Sequence, residues 1–142
     1  MSATKQREGF CFTDATTGRV MSEQYPENWS GLQYPDWRSE LLVYLRDGCD
    51  PSHYLKVHDV EFDLHFFFDD HDFADDPVGM IGLALFDEGE AAAIAELVKA
   101  YAAALGPGSK MPDVRTVNWQ PVAEAAQKAY TLILKGGEPT FR

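Results

Sequence analysis

Apolar residues recur at helical spacing in three stretches of the chain. In YPDWRSELLVYLRDG (34–48), Trp37, Leu41, Leu42, Tyr44 and Leu45 form a stripe near the 3.6-residue period. Pro35 suits a first helical turn, where its missing N–H is not needed, and Gly48 is a natural stop. In DEGEAAAIAELVKAYAAALG, the face is Ile94, Leu97, Val98, Tyr101 and Leu105. Asp87 and Glu90 stand at capping-box spacing before it, and Gly106-Pro107 ends it. In NWQPVAEAAQKAYTLILK, Val122, Ala125, Ala126, Ala129, Tyr130 and Ile133 share a face. Asn118 is the expected N-cap, Pro121 falls in the first turn, and Gly136-Gly137 stops the helix. The alanines let this last helix approach its neighbours closely.

Between the first and second of these helices the period changes to two. Val60, Phe62, Leu64, Phe66 and Phe68 alternate with Glu61, Asp63, His65 and Phe67, which predicts a strand with a buried and an acidic face. VGMIGLALF (78–86) reads as a second, more buried strand, with Gly79 and Gly82 marking close packing or a bulge. The two strands predict an antiparallel hairpin across a connection of about eight to ten residues, longer than the usual hairpin loop. Asp50-Pro51 opens a short helical turn, and Val114–Val117 a brief extended piece. The expected fold is therefore α+β: a short antiparallel β-sheet, its centre the hairpin, packed against three main helices. Residues 33–142 form one domain. Residues 1–32 form an N-terminal extension, partly mobile, with a polar tail over residues 1–8, a strand at FCFT, a turn at DATTGRV and a loop at YPENWSG. Phe10, Phe12, Tyr25 and Trp29 would hold it against the domain.

Composition narrows the function. At 142 residues with 45% hydrophobic positions, the chain is long enough for one cored domain. A formal net charge of −11 repels phosphate backbones and argues against nucleic-acid binding, while it favours basic partners. The first residues, MSATKQREGF, carry no apolar signal core, and no apolar run reaches the roughly 20 residues of a membrane helix. Cys11 and Cys49 lie far apart without CxxC spacing, the usage of idle thiols in a reducing cytoplasm. No GxSxG, HExxH or phosphate-cradling glycine loop occurs, so neither a cofactor nor an enzymatic mechanism is indicated. A Cys49–His53 nucleophile is the weaker reading of a cysteine that follows a helix-ending glycine.

The strongest chemical signal is acidic. From Lys56 to Lys99 there is no other lysine or arginine, and 12 of the 23 acidic residues stand in that gap. Asp87, Glu88 and Glu90 are explained by a helix N-terminus, which favours negative charge. The remaining cluster marks a candidate partner surface on the expected hairpin: Glu61 and Asp63 on the strand, and Asp69, Asp70, Asp72, Asp75 and Asp76 in the loop. Phe67 and Phe73 are the aromatic residues placed amid the charges, where they would anchor a partner; Phe62, Phe66 and Phe68 are assigned to the core. A plainly solvated face is the competing reading. The chemical alternative is a divalent-metal protein or hydrolase with Asp69, Asp70, His71 and Asp72 as ligands, although DDHDFADDPVGM lacks the order of a calcium loop and no HxxxH or HxH pair occurs. His53 and His58 read as turn or surface residues.

Several fragments together carry a resemblance: YPDWRSELLVYLRDGCDP, DDHDFADDPVGMIGLAL, DEGE opening a helix, and WQPVAEAAQKAY. They resemble an uncharacterised family of small acidic bacterial proteins with a YPxxRxxLLxxL start, a DP turn, an aspartate-rich segment before an IG strand, and a final WxxVxxAA helix. Such proteins are similar to the immunity proteins of polymorphic toxin systems. The resemblance spans about Tyr34 to Leu134, so residues up to about 30 are an addition. It implies a cytoplasmic, non-enzymatic interaction protein that inhibits a basic toxin through an acidic surface.

Overall fold

The computed structural model describes residues 23–106 and 111–141. The expectations for FCFT, Phe10, Phe12, Cys11 and the first eight residues lie outside them. The element order is β1 (Glu23–Gln24), α1 (Pro35–Gly48), α2 (Val57–Leu64), α3 (Glu88–Leu105), α4 (Gln120–Leu134) and β2 (Thr140–Phe141), with short 3₁₀ turns between. The architecture is helical, and the α+β expectation is overturned. Among the described residues the strand pairing is confined to β1 and β2, two residues each, antiparallel, with Glu23 opposite Phe141. No central hairpin exists among them.

The three helices read from apolar stripes form where the stripes are. In α1, Leu41, Leu42 and Leu45 are buried behind Pro35 in the first turn. In α3, the Asp87 carboxylate accepts from Glu90 N at 3.0 Å, and Glu90 Oε1 accepts from Phe86 N at 2.7 Å. This reciprocal pair satisfies two N–H groups at the helix start. Gly106, at φ 75° and ψ 179°, takes a positive-φ conformation open to glycine, which ends α3. The cap of α4 is Trp119 rather than Asn118, although Asn118 Oδ1 still accepts from Gln120 N. Val122, Ala123, Ala126, Ala129 and Ile133 bury the inner face of α4 against α1 and α3.

The expected first strand is instead α2, continued by a π-helical turn over His65–Asp70. The helical stripe is present in the sequence: Val60, Asp63, Leu64 and Phe67 follow i, i+3, i+4, i+7. Its second member is an aspartate, which hides it. Val60, Asp63, Phe66 and Phe67 are buried, whereas Phe62, assigned to the core, is 63% exposed. The expected second strand also fails. Val78–Met80 is a 3₁₀ turn, and the carbonyl of Met80 accepts from the N–H groups of Leu83, Ala84 and Leu85, each at 3.0 Å. Gly82, at φ 89°, forces the reversal. Asp76 Oδ1 accepts from Gly79 N, and a Cβ on Gly79 would collide with that carboxylate. Both glycines serve turns, and this coil is pinned to the segment before α1 by Gln33 N to Gly82 O and Tyr34 N to Leu83 O.

A buried ion pair ties α1, α3 and α4 together. Arg38, wholly buried, donates from Nη1 and Nη2 to the two oxygens of Glu90 at 2.7 and 2.8 Å. The same guanidinium donates to Ala84 O and Ile133 O, and it lies 4.1 Å from the Phe86 ring centroid. Residues 23–32 are joined to this body. Trp29 is fully buried and its indole N–H donates to Gly136 O at 2.8 Å, with Tyr25 stacked upon it.

Candidate functional site

The residues proposed as a partner surface do not share one environment. Phe67 and Phe73 are 1% and 0% exposed, packed with Phe66, Tyr44 and Tyr101, so neither can serve as an exposed anchor. The π-helical turn rotates Phe66 and Phe67 together into the core. Asp63 is also buried rather than surface-lining. Glu61, Asp69, Asp70, Asp72, Asp75 and Asp76 are exposed, as expected for a charged surface. Among the described residues none of them pairs with a lysine or arginine. Asp69 faces His65 at 2.6 Å, and Glu61 faces His58 at 3.4 Å.

The four residues of the metal alternative are not brought together. His71 turns inward among Trp37, Phe66 and Phe73, with its side chain 10% exposed, and its Nε2 lies 3.7 Å from Glu40. Asp69, Asp70 and Asp72 remain outside, so the four do not meet. Among the described residues no group of three or more His, Cys, Asp and Glu side chains is arranged to hold a metal. Cys49 donates to Leu45 O at 3.2 Å, the hydrogen bond of a packed thiol, and burial pushes its pKa up. It is not an activated nucleophile.

Acidic groups converge elsewhere, between α1 and α2. A groove of about 360 Å³ has Glu40, Val43, Tyr44 and Asp47 on its α1 side. Asp59, Phe62 and Asp63 line its α2 side, with His53 from the Pro51–Leu55 turn between them. A second hollow of about 620 Å³ shares Asp47, His53 and Asp59, and continues past Asp50 to Arg46 and Lys56. Phe62 at 63% and Val43 at 44% are exposed apolar residues within a wall of carboxylates. Burial first, then the charges of Asp63, Glu40, Asp70 and Asp47, push the Tyr44 phenol up, so four carboxylates from three segments act on one spot. Arg46 meets Asp47 at 3.4 Å, but both are well exposed, and such pairs neutralise little.

Behind the groove stands a buried network. Asp63 Oδ2 accepts from the Tyr101 hydroxyl at 2.9 Å and faces His53 Nε2 at 3.0 Å. The Tyr54 hydroxyl donates to Gly48 O at 2.9 Å and lies 3.4 Å from that of Tyr101. A side chain on Gly48 would strike the Tyr54 hydroxyl. His53 lies in a turn as expected, although its side chain is only 16% exposed; His58, 85% exposed, is a surface residue. The hydrogen bond to Asp63 raises the His53 pKa, against burial and with help from Asp59 and Asp47. Burial likewise raises that of Asp63, opposed by His53 and Tyr101. With Asp63 on Nε2 and Asp59 3.9 Å from Nδ1, both ring nitrogens face carboxylates. That arrangement stabilises the protonated ring.

Sequence reasoning found the acidic character of residues 59–63 but missed Glu40, Val43, Tyr44 and Asp47. A signal was available: positions 40, 44 and 47 follow i, i+4, i+7, so an acidic and aromatic second face runs along α1. Comparison with family models, with curated proteins and with solved structures finds no match to this chain. Among the described residues, no helix is long and apolar enough to cross a membrane.

Proposed function

We propose that this protein is a non-enzymatic interaction protein that binds a basic protein through the groove between α1 and α2. In the specific form favoured by its resemblance to immunity proteins, it neutralises a basic toxin. The observation that carries the reading is the exposure of Phe62 and Val43 between Glu40, Asp47 and Asp59. Interfaces of this kind combine a desolvated apolar centre with a charged surround that steers encounter. The net charge of −11 extends the steering field over the molecule. The exposed aspartates of residues 69–76 become part of that field rather than the point of contact.

Co-expression with a basic protein encoded beside it, followed by gel filtration and calorimetry, tests this. The expected result is a stoichiometric complex that suppresses the partner's toxicity. It weakens when Glu40, Asp47 and Asp59 are changed together to Gln, Asn and Asn. A complex that ignores those three changes, or no complex at low salt, overturns the reading.

A further inference from the structure

We infer that the inner end of the groove is a guanidinium site, in which an arginine of the basic partner lies against Tyr44 and Phe62 and donates to Asp63 Oδ1. The inference rests on the groove being the docking surface and adds what the groove is shaped to take. Asp63 is 1% exposed and lines the groove. Its two oxygens differ. Oδ2 takes both the Tyr101 hydroxyl and His53, whereas Oδ1 is buried and has no hydrogen-bond partner among the described residues. Buried polar atoms nearly always have partners, so a bare carboxylate oxygen in the wall of an acidic groove marks the place of a missing donor. The carboxylate is held in that orientation, because Tyr101 and His53 both grip the other oxygen.

The donor's chemistry follows from what surrounds Oδ1. A guanidinium is planar, charged at every working pH, weakly hydrated, and carries five N–H groups in a fixed fork. It stacks on aromatic rings while it pairs with carboxylates. The groove presents the half-buried Tyr44 ring and the exposed Phe62 ring beside Glu40, Asp47 and Asp59. An ammonium, a strongly hydrated point charge, makes poorer use of the rings and reaches fewer acceptors at once. Oδ1 is closed to solvent in the free chain, so the groove wall shifts locally when the ligand enters.

The test is an NMR titration of the full chain with N-acetyl-L-arginine amide, N-acetyl-L-lysine amide and the uncharged N-acetyl-L-citrulline amide. The arginine derivative is expected to give saturable amide shifts over residues 43–47 and 59–63. Citrulline is expected to bind at least roughly tenfold more weakly, and lysine several-fold more weakly. Asp63→Asn is expected to weaken the arginine derivative roughly tenfold, and the exposed Phe62→Ala about threefold, so the second variant carries the test if the first does not fold. The inference is overturned if arginine and citrulline bind alike, if the shifts map elsewhere, or if the folded variants bind as the wild type does. Equal binding of arginine and lysine overturns the guanidinium assignment as well. A basic protein that still binds through Glu40, Asp47 and Asp59 while the arginine derivative fails leaves the docking surface standing without this site.

Discussion

Replacing Arg38 with methionine is expected to be among the most destabilising single changes available. The side chain is fully buried, makes both bonds to Glu90 at 2.7 and 2.8 Å, and satisfies the carbonyls of Ala84 and Ile133. Methionine fills much of the same volume against Phe86, so the packing loss is modest. What remains is the buried Glu90 carboxylate, held by the Phe86 N–H as its one other hydrogen bond among the described residues. Breaking a buried pair in this way costs about 3–5 kcal/mol, a large share of an ordinary domain's stability. At this chain length that corresponds to a fall of roughly 10–15 °C in Tm. Removing both charges, Arg38→Met with Glu90→Leu, eliminates the stranded carboxylate and leaves two carbonyls and the Phe86 N–H unpaired. The double variant should therefore be more stable than Arg38→Met alone, with a coupling of about 2–3 kcal/mol. Urea unfolding followed by far-ultraviolet circular dichroism supplies the four values of the cycle. A loss under about 1 kcal/mol for Arg38→Met, or costs that simply add, would refute the assignment of Arg38 as the tie between α1, α3 and α4.

Three further expectations follow from other parts of the fold. Tyr101→Phe removes one donor from the buried Asp63 carboxylate and should cost about 1–3 kcal/mol by urea unfolding; a neutral result would mean that the hydroxyl is not committed to Asp63. His53 has its pKa raised in the folded chain, so its stabilisation is complete below the unfolded value near 6.5 and is lost as pH rises through the folded value. Wild type should gain more Tm than His53→Gln on going from about pH 8.5 to about pH 6; equal gains, which the general relief of negative charge would give to both, contradict the pairing with Asp63. Gly82→Ala meets no atom within 4 Å but must hold φ near 89°, so it should cost about 1–2 kcal/mol through backbone conformation alone, read from the urea midpoint at unchanged m-value.

The sequence and the structure part company at specific residues. α1, α3 and α4 are legible because Leu41–Leu45, Ile94–Tyr101 and Val122–Ile133 bury apolar side chains at helical spacing, with a proline in the first turn of α1 and α4 and an aspartate cap on α3. α2 is not, because Asp63 occupies the inward position that a hydrophobe normally marks, while Phe62 faces outward. The remaining phenylalanines then mimic a two-residue period, although Phe66 and Phe67 enter the core side by side through the π-helical turn. The reason for Asp63 is tertiary: Tyr101 and His53, distant in sequence, make a buried carboxylate tolerable. Gly82 looks the same in a strand bulge and in a left-handed turn until its φ is known. The acidic character of the site could be read directly. Its location could not, because Glu40 and Asp47 look like solvated positions of α1 until α2 packs alongside them.

Calorimetry of paired variants with the same basic partner separates docking in the groove from docking on the aspartate loop. Asp47→Asn with Asp59→Asn in the groove is to be compared with Asp72→Asn and Asp75→Asn in the loop, an equal change in net charge. The groove pair is expected to lose affinity by at least roughly tenfold and to keep most of that loss at high salt, while the loop pair loses little and only at low salt. Equal losses that vanish together as salt is raised would contradict docking in the groove.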